Sequence, residues 1–146
     1  MRNNERRYSN DWREFFGDDA SKKRRPPRNL EHGLQSAFVR CFRLKYPSMV
    51  HNLFAVPNGG YRTKTTAANM KAEGQLSGVS DLIFLKRKGK CGALCLEAKI
   101  KGNYQSPTQK EWQKRIESDG FKYAIFHSVE EGMQIVEDYL NLPDDE

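Results

Sequence analysis

Two short apolar runs carry ionisable residues where a half-buried strand ordinarily keeps apolar ones: residues 78–85 (GVSDLIFL) and residues 94–99 (LCLEAK). Asp81 stands early in the first run, and Glu97 and Lys99 close the second. Strand side chains alternate faces, so Glu97 and Lys99 point the same way, about 6–7 Å apart along the strand. If the two runs pair as neighbours, Asp81 and Glu97 converge with Lys99 beside them. Two carboxylates at about 4 Å repel by about 4 kcal/mol at an effective dielectric near 20. The arrangement calls for a cation, and a divalent metal fits it best.

The elements that must position these residues follow from the pattern around them. Residues 1–28 hold Arg-rich stretches, the run Lys22-Lys23-Arg24-Arg25 and Pro26-Pro27, which read as a flexible basic arm with one short helix around Asp11–Phe16. From Asn29, a plausible N-cap, Glu31, Gln35, Phe38 and Phe42 recur at helical spacing until Pro47. Residues 50–56 read as a strand ended by the turn Pro57-Asn58-Gly59-Gly60, and residues 63–73 as a short helix closed by Gly74. The two acidic strands are joined by the basic turn Lys86-Arg87-Lys88-Gly89-Lys90. Ser106-Pro107-Thr108-Gln109 announces a helix by cap, N1 proline and capping box, with Trp112 and Ile116 as its buried stripe. Residues 121–127 alternate as a strand, and Ser128 with Glu131 opens a last helix. The order α-β-(α)-β-β-α-β-α predicts a mixed α/β fold, a central sheet flanked by helices.

Charge adds a second constraint. A chain of 146 residues suits one domain, placed here at residues 29–142 with an acidic tail at 143–146. The net charge of +6 is unevenly spread. Residues 1–28 carry nine Lys/Arg against five Asp/Glu; residues 29–125 carry sixteen against seven; residues 126–146 carry seven acids and no Lys or Arg. A basic domain that concentrates carboxylates on two strands suits a polyanionic partner handled with a metal. Cys41, Cys91 and Cys95 lack a disulfide or zinc-finger framework and read as free thiols. His32, His51 and His127 form no ligand set. No stretch approaches a membrane span and the N-terminus does not resemble a signal peptide, so a cytoplasmic location without membrane contact is expected.

Asp81 followed at hairpin distance by Glu97-Ala98-Lys99 resembles the PD-(D/E)XK nuclease superfamily, and the words around it resemble its VRR-NUC branch. The resemblance rests on five motifs in order: Glu31 with Gln35 on an early helix, Pro57 to Arg62, the Gly-rich approach from Gly74 to Gly78, Glu97-x-Lys99, and Ser106 to Gln109. It spans about residues 29–140. Ser80 stands where the family usually has proline, which should perturb geometry more than chemistry.

The resemblance implies a restriction-endonuclease-like core and phosphodiester hydrolysis with Mg²⁺ or Mn²⁺, hard ions suited to oxygen ligands. Asp81, Glu97 and the Ala98 carbonyl would be metal ligands, with Glu31 a third ligand or a water-positioning group. Taken alone, Glu31 is a first-turn acid favoured by the helix dipole. Lys99 would orient water, stabilise transition-state charge or act as general base. Gln109 has two partly exclusive explanations: a capping box with Ser106, or, as the resemblance implies, a place beside Lys99 in contact with the nucleophilic water or the scissile phosphate. Asn58, Gly59, Gly60 and Arg62 resemble the family's DNA-contacting loop, and Lys64, Lys71 and the Lys86–Lys90 turn are candidate phosphate contacts. Stand-alone domains of this kind resemble junction-resolving nucleases of bacteria and phages, which implies a homodimer acting on four-way junctions in DNA repair or recombination. Cleavage of flaps or single strands is an alternative, as is a non-catalytic nucleic-acid-binding module on the same fold.

Overall fold

The computed structural model describes residues 28–57 and 62–144. Helix α1 (Arg28–Lys45) leads through a 3-10 turn (Pro47–Met49) to β1 (Leu53–Ala55) and α2 (Lys64–Ala72). Then come β2 (Leu82–Phe84), β3 (Leu94–Ala98), α3 (Pro107–Ser118), β4 (Lys122–Phe126) and α4 (Val129–Leu140). The element order is the one the sequence pattern predicts. The sheet runs β1-β2-β3-β4, antiparallel at the first two junctions and parallel between β3 and β4. A parallel pair cannot be joined by a tight hairpin, and α3 is the crossover that joins it.

The period of two divides the sheet into unlike faces. Leu82, Phe84, Leu94, Leu96, Ala98 and Phe126 turn to one side and pack with Phe38 and Phe42 of α1 and Val136 and Tyr139 of α4. Aromatic contacts tie these layers, with Phe38 at 4.7 Å from Phe126 and Phe42 edge-on to Phe84 at 5.3 Å between ring centroids. Helix α4 approaches closely at Gly132, where a Cβ would fall 2.7 Å from the Phe38 ring. The other face, including Cys95, Glu97 and Tyr123, lies towards α3, whose Trp112 meets Tyr123 edge-on at 6.1 Å.

Several boundaries differ from the pattern. Asn29 lies inside α1 rather than capping it. The strand expected over 50–56 shrinks to three residues because Pro47 starts a 3-10 turn and Val50 stays in the right-handed region. Trp112 and Ile116 are only half-buried, and α3 has no fully buried residue, because it covers the polar face of the sheet and not the dry core. The basic arm, apart from Arg28, and its short helix around Asp11–Phe16 fall outside the described residues, as do Asn58, Gly59, Gly60 and the last two residues of the tail. Asp144 of that tail pairs with Lys88 in the basic turn at 3.1 Å. The three cysteines are free, with Cys95 buried. No described helix is long and apolar enough to cross a membrane.

Candidate active site

The register of β2 on β3 places Leu82 opposite Leu96, so the residue before β2 and the residue after Leu96 come side by side. These are Asp81 and Glu97. Each carboxylate is held by the backbone of the other strand: Asp81 N donates to Glu97 Oε2 at 3.2 Å, and Ala98 N donates to Asp81 Oδ2 at 3.0 Å. Their reciprocal bonds fix both side chains without a linker of any length. Lys99 lies just past β3, its backbone N–H bonded to Phe126 O and its Nζ 3.5 Å from Glu97 Oε1.

Gln109 makes the capping box and, with its other end, a contact to Glu97 that neither reading named. Its Oε1 accepts from Ser106 N at 2.8 Å, completing the capping box, while its Nε2 donates to Glu97 Oε1 at 2.6 Å. An amide has one acceptor end and one donor end, and the start of α3 lies where each end finds a partner. Gly78 allows that approach. Its φ is +90°, and a Cβ there would stand 2.5 Å from the Thr108 carbonyl oxygen and 3.0 Å from Gln109 N. The Gly-rich approach to Asp81 is therefore a packing requirement of the site. Ser80 is fully buried, and its hydroxyl donates to the Leu82 carbonyl at 3.1 Å, so the polar side chain in the proline position has a local partner.

Glu31 is the outlying acid. It lies near enough for its charge to disfavour ionisation of Asp81, but its Oε1 accepts from Asn103 Nδ2 at 2.9 Å. Among the described residues no three His, Cys, Asp or Glu side chains close into a ligand cluster. Ala98 enters the site through its amide, with its methyl group buried in the core. Lys64 and Lys71 are exposed at opposite ends of α2, and Arg62 is half-buried.

Electrostatically the pair is unsettled. Burial, then the charge of Asp81, pushes the Glu97 carboxyl up to about 7, with Lys99 opposing. Burial raises Asp81 too, opposed by the Ala98 amide, by Lys99 and last by His32, to which the motifs assign no role. Two acids that resist ionising side by side offer carboxylate oxygens of the kind that suit a hard divalent cation.

Two neighbours were not foreseen. Asn103, which holds Glu31, comes from an irregular loop with no periodic signal. Tyr123 is 6% exposed, pairs in register with Cys95, and its hydroxyl has no hydrogen-bond partner among the described residues. Burial first and the Glu97 charge second push the phenol well above its ordinary range. Gln105 is close enough to moderate that shift, but its amide donates to Gln113 Oε1 at 2.8 Å. The alternation of residues 121–127 was the signal that Tyr123 shares a face with Glu97.

The architecture is thus a mixed α/β sheet with one face sealed by helices and the other bearing an acid-acid-lysine group. No protein-family model matches the chain, and no curated protein matches it. Among solved structures it is similar to a "VRR_NUC domain protein", with a TM-score of 0.68 and 22% identity over 78% of this chain and 90% of that one. The chain therefore has the fold of a VRR_NUC domain, as the motifs implied.

Proposed function

We propose that this chain is a metal-dependent DNA nuclease of the PD-(D/E)XK type, hydrolysing phosphodiester bonds at Asp81, Glu97 and Lys99. The observation that carries this reading is the reciprocal Asp81–Glu97 pair with Lys99 Nζ 3.5 Å from Glu97. A buried carboxylate pair is costly for stability unless a cation occupies it, and a purely nucleic-acid-binding surface gains nothing from acids facing phosphates. Mg²⁺ or Mn²⁺ would be held by Asp81 and Glu97 with the Ala98 carbonyl, and Glu31 would serve as a third ligand or water-positioning group. When bound, the ion supplies positive charge that acidifies water and offsets charge building on the phosphate.

The chain's own groups do the rest. Gln109 holds Glu97 by the 2.6 Å amide contact, keeping one carboxylate oxygen oriented. Lys99, bonded through its backbone to Phe126 and through its ammonium to Glu97, would orient a water, stabilise the charged phosphate or act as general base. Asn58, Gly59, Gly60 and Arg62, with Lys64 and Lys71, would contact the DNA backbone, in keeping with the basic balance of residues 29–125. Branched DNA such as a four-way junction is the proposed substrate and a homodimer the proposed working form, each protomer cutting one strand.

The test is cleavage of labelled four-way junction, flap and linear duplex in Mg²⁺, Mn²⁺ or EDTA, beside Asp81→Ala and Lys99→Ala. Metal-dependent cutting lost by at least about a hundredfold in either variant is expected. DNA binding without cutting of any substrate would overturn the proposal in favour of a binding module.

A further inference from the structure

Tyr104 is 85% exposed, the most exposed of the large hydrophobic side chains described. It stands on the loop between β3 and α3, and that loop is pinned on both sides of it. Gly102 takes a φ of +96°, and Asn103 N bonds to the Ile100 carbonyl at 2.9 Å, closing a tight turn. Asn103 Nδ2 then holds Glu31, and Gln105 Nε2 holds Gln113 of α3. The residue that follows, Ser106, is fixed by the capping box with Gln109, whose other end grips Glu97. Its immediate neighbours are half-buried while Tyr104 itself projects into solvent. The ring is therefore displayed from a braced base, one residue from the partner of Glu31 and five from the partner of Glu97.

The loop that carries Tyr104 is basic in sequence, while Glu31, held by Asn103, lies at its base. Residues 99–110 include Lys99, Lys101 and Lys110 and no acid. An exposed aromatic ring on a lysine-bearing loop is a combination that receives unpaired nucleotides: the ring stacks on a base and cations of the loop follow the phosphates. A paired base within a duplex has no free face to offer, so such a ring acts only where the strand is open. We propose that Tyr104 is a stacking platform for an unpaired nucleobase beside the carboxylate pair, selecting DNA with single-stranded or branched character. This rests on the nuclease reading above and gives that site a substrate preference.

The experiment compares full-length protein with Tyr104→Ala and Tyr104→Phe. The probes are a short single-stranded oligonucleotide, a flap and a blunt duplex of the same sequence, each with Ca²⁺ present. Tyr104→Ala is expected to weaken binding to the unpaired probes by about 5- to 100-fold. Binding to the blunt duplex should change less than about twofold, the dependence on salt should not change, and Tyr104→Phe should bind like the wild type. A series of oligonucleotides with one abasic position moved along the strand locates the stacked base. At one position, base removal should weaken the wild type but leave Tyr104→Ala unaffected.

Equal loss on duplex and unpaired probes, or no loss on either, overturns the stacking role while leaving nuclease activity intact. A wild-type chain that neither binds nor cuts any of the DNAs overturns both readings together. Loss of binding with a reduced salt slope would mean that the loop acts through its charges, which also overturns the proposal.

Discussion

Glu97→Gln should stabilise the metal-free protein at mildly alkaline pH and not at acid pH. Glu97 is 2% exposed, and its carboxyl is raised from 4.5 to about 7 by burial and by Asp81. Between those values the folded state keeps a proton that the unfolded chain has lost, so stability falls as pH rises through the window and levels off above about 7. At about 1.4 kcal/mol per pH unit, the cost of holding Glu97 ionised approaches about 3 kcal/mol. Glutamine removes that cost but loses the Lys99 ion pair, and its NH₂ must face either the Gln109 amide or the Asp81 N–H. A net gain of about 1–2 kcal/mol at about pH 8 is expected, against a net loss of about 1 kcal/mol near pH 5. For a domain of this size each kcal/mol moves Tm by about 3–6 °C. The assay is thermal unfolding of both proteins in EDTA across that pH range, taking the difference between variants so that other titrating groups cancel. Adding Mg²⁺ or Mn²⁺ at the alkaline end should raise the wild-type Tm and narrow or reverse the gap. A difference that is flat with pH, or a variant less stable at pH 8 than at pH 5 relative to wild type, would refute the charge-burial reasoning.

Gly78→Ala should lose about 2–4 kcal/mol of stability, because a positive φ coincides with a Cβ 2.5 Å from the Thr108 carbonyl; denaturant unfolding reads the loss. Gln109→Ala should cut cleavage by about tenfold or more through a disoriented Glu97, with a smaller loss of stability from the broken cap, so the comparison is activity against Tm. Phe38→Ala should destabilise by about 3–5 kcal/mol and leave any surviving activity with unchanged metal dependence, since it empties the opposite face of the sheet. Deleting residues 1–28 should weaken binding to all DNA structures alike and flatten its salt dependence; unaltered affinity and slope would remove the arm from the phosphate contacts.

The acid-acid-lysine group was legible because it breaks a local rule. Charges on apolar strands stand out against the period of two, and register follows from that pattern once the strands pair. Glu97 and Lys99 therefore declared themselves, as did the start of α3 through its capping box. Asn103 and Tyr123 did not. Asn103 reaches Glu31 across 72 residues of sequence, a separation that no spacing rule addresses. Tyr123 looked like an ordinary strand aromatic: alternation gives it a face of β4, and the parallel register of β4 against β3 makes that the face of Cys95 and Glu97. Strand lengths were overestimated for a related reason. Apolar composition marks what is buried, whereas hydrogen-bonded ladders end wherever the backbone turns, as at Gly78 and after Pro47.

The metal-free site is also more self-contained than paired carboxylates alone would be. Both Glu97 oxygens and one Asp81 oxygen accept hydrogen bonds from the protein, two of them from backbone amides of the opposing strand. Such bonds favour the ionised forms, yet both acids remain raised because burial outweighs them. If a cation binds there as proposed, it should release protons, and apparent metal affinity should strengthen as pH rises towards about 7. Calorimetry with Mn²⁺ in buffers of different ionisation enthalpy would read the released protons directly. About half a proton released from Glu97 is expected at pH 7, rising towards one below that and falling above it, and in Glu97→Gln release should be largely lost. Proton release identical in the two proteins would mean that the cation does not meet Glu97, and the carboxylate pair would need another explanation.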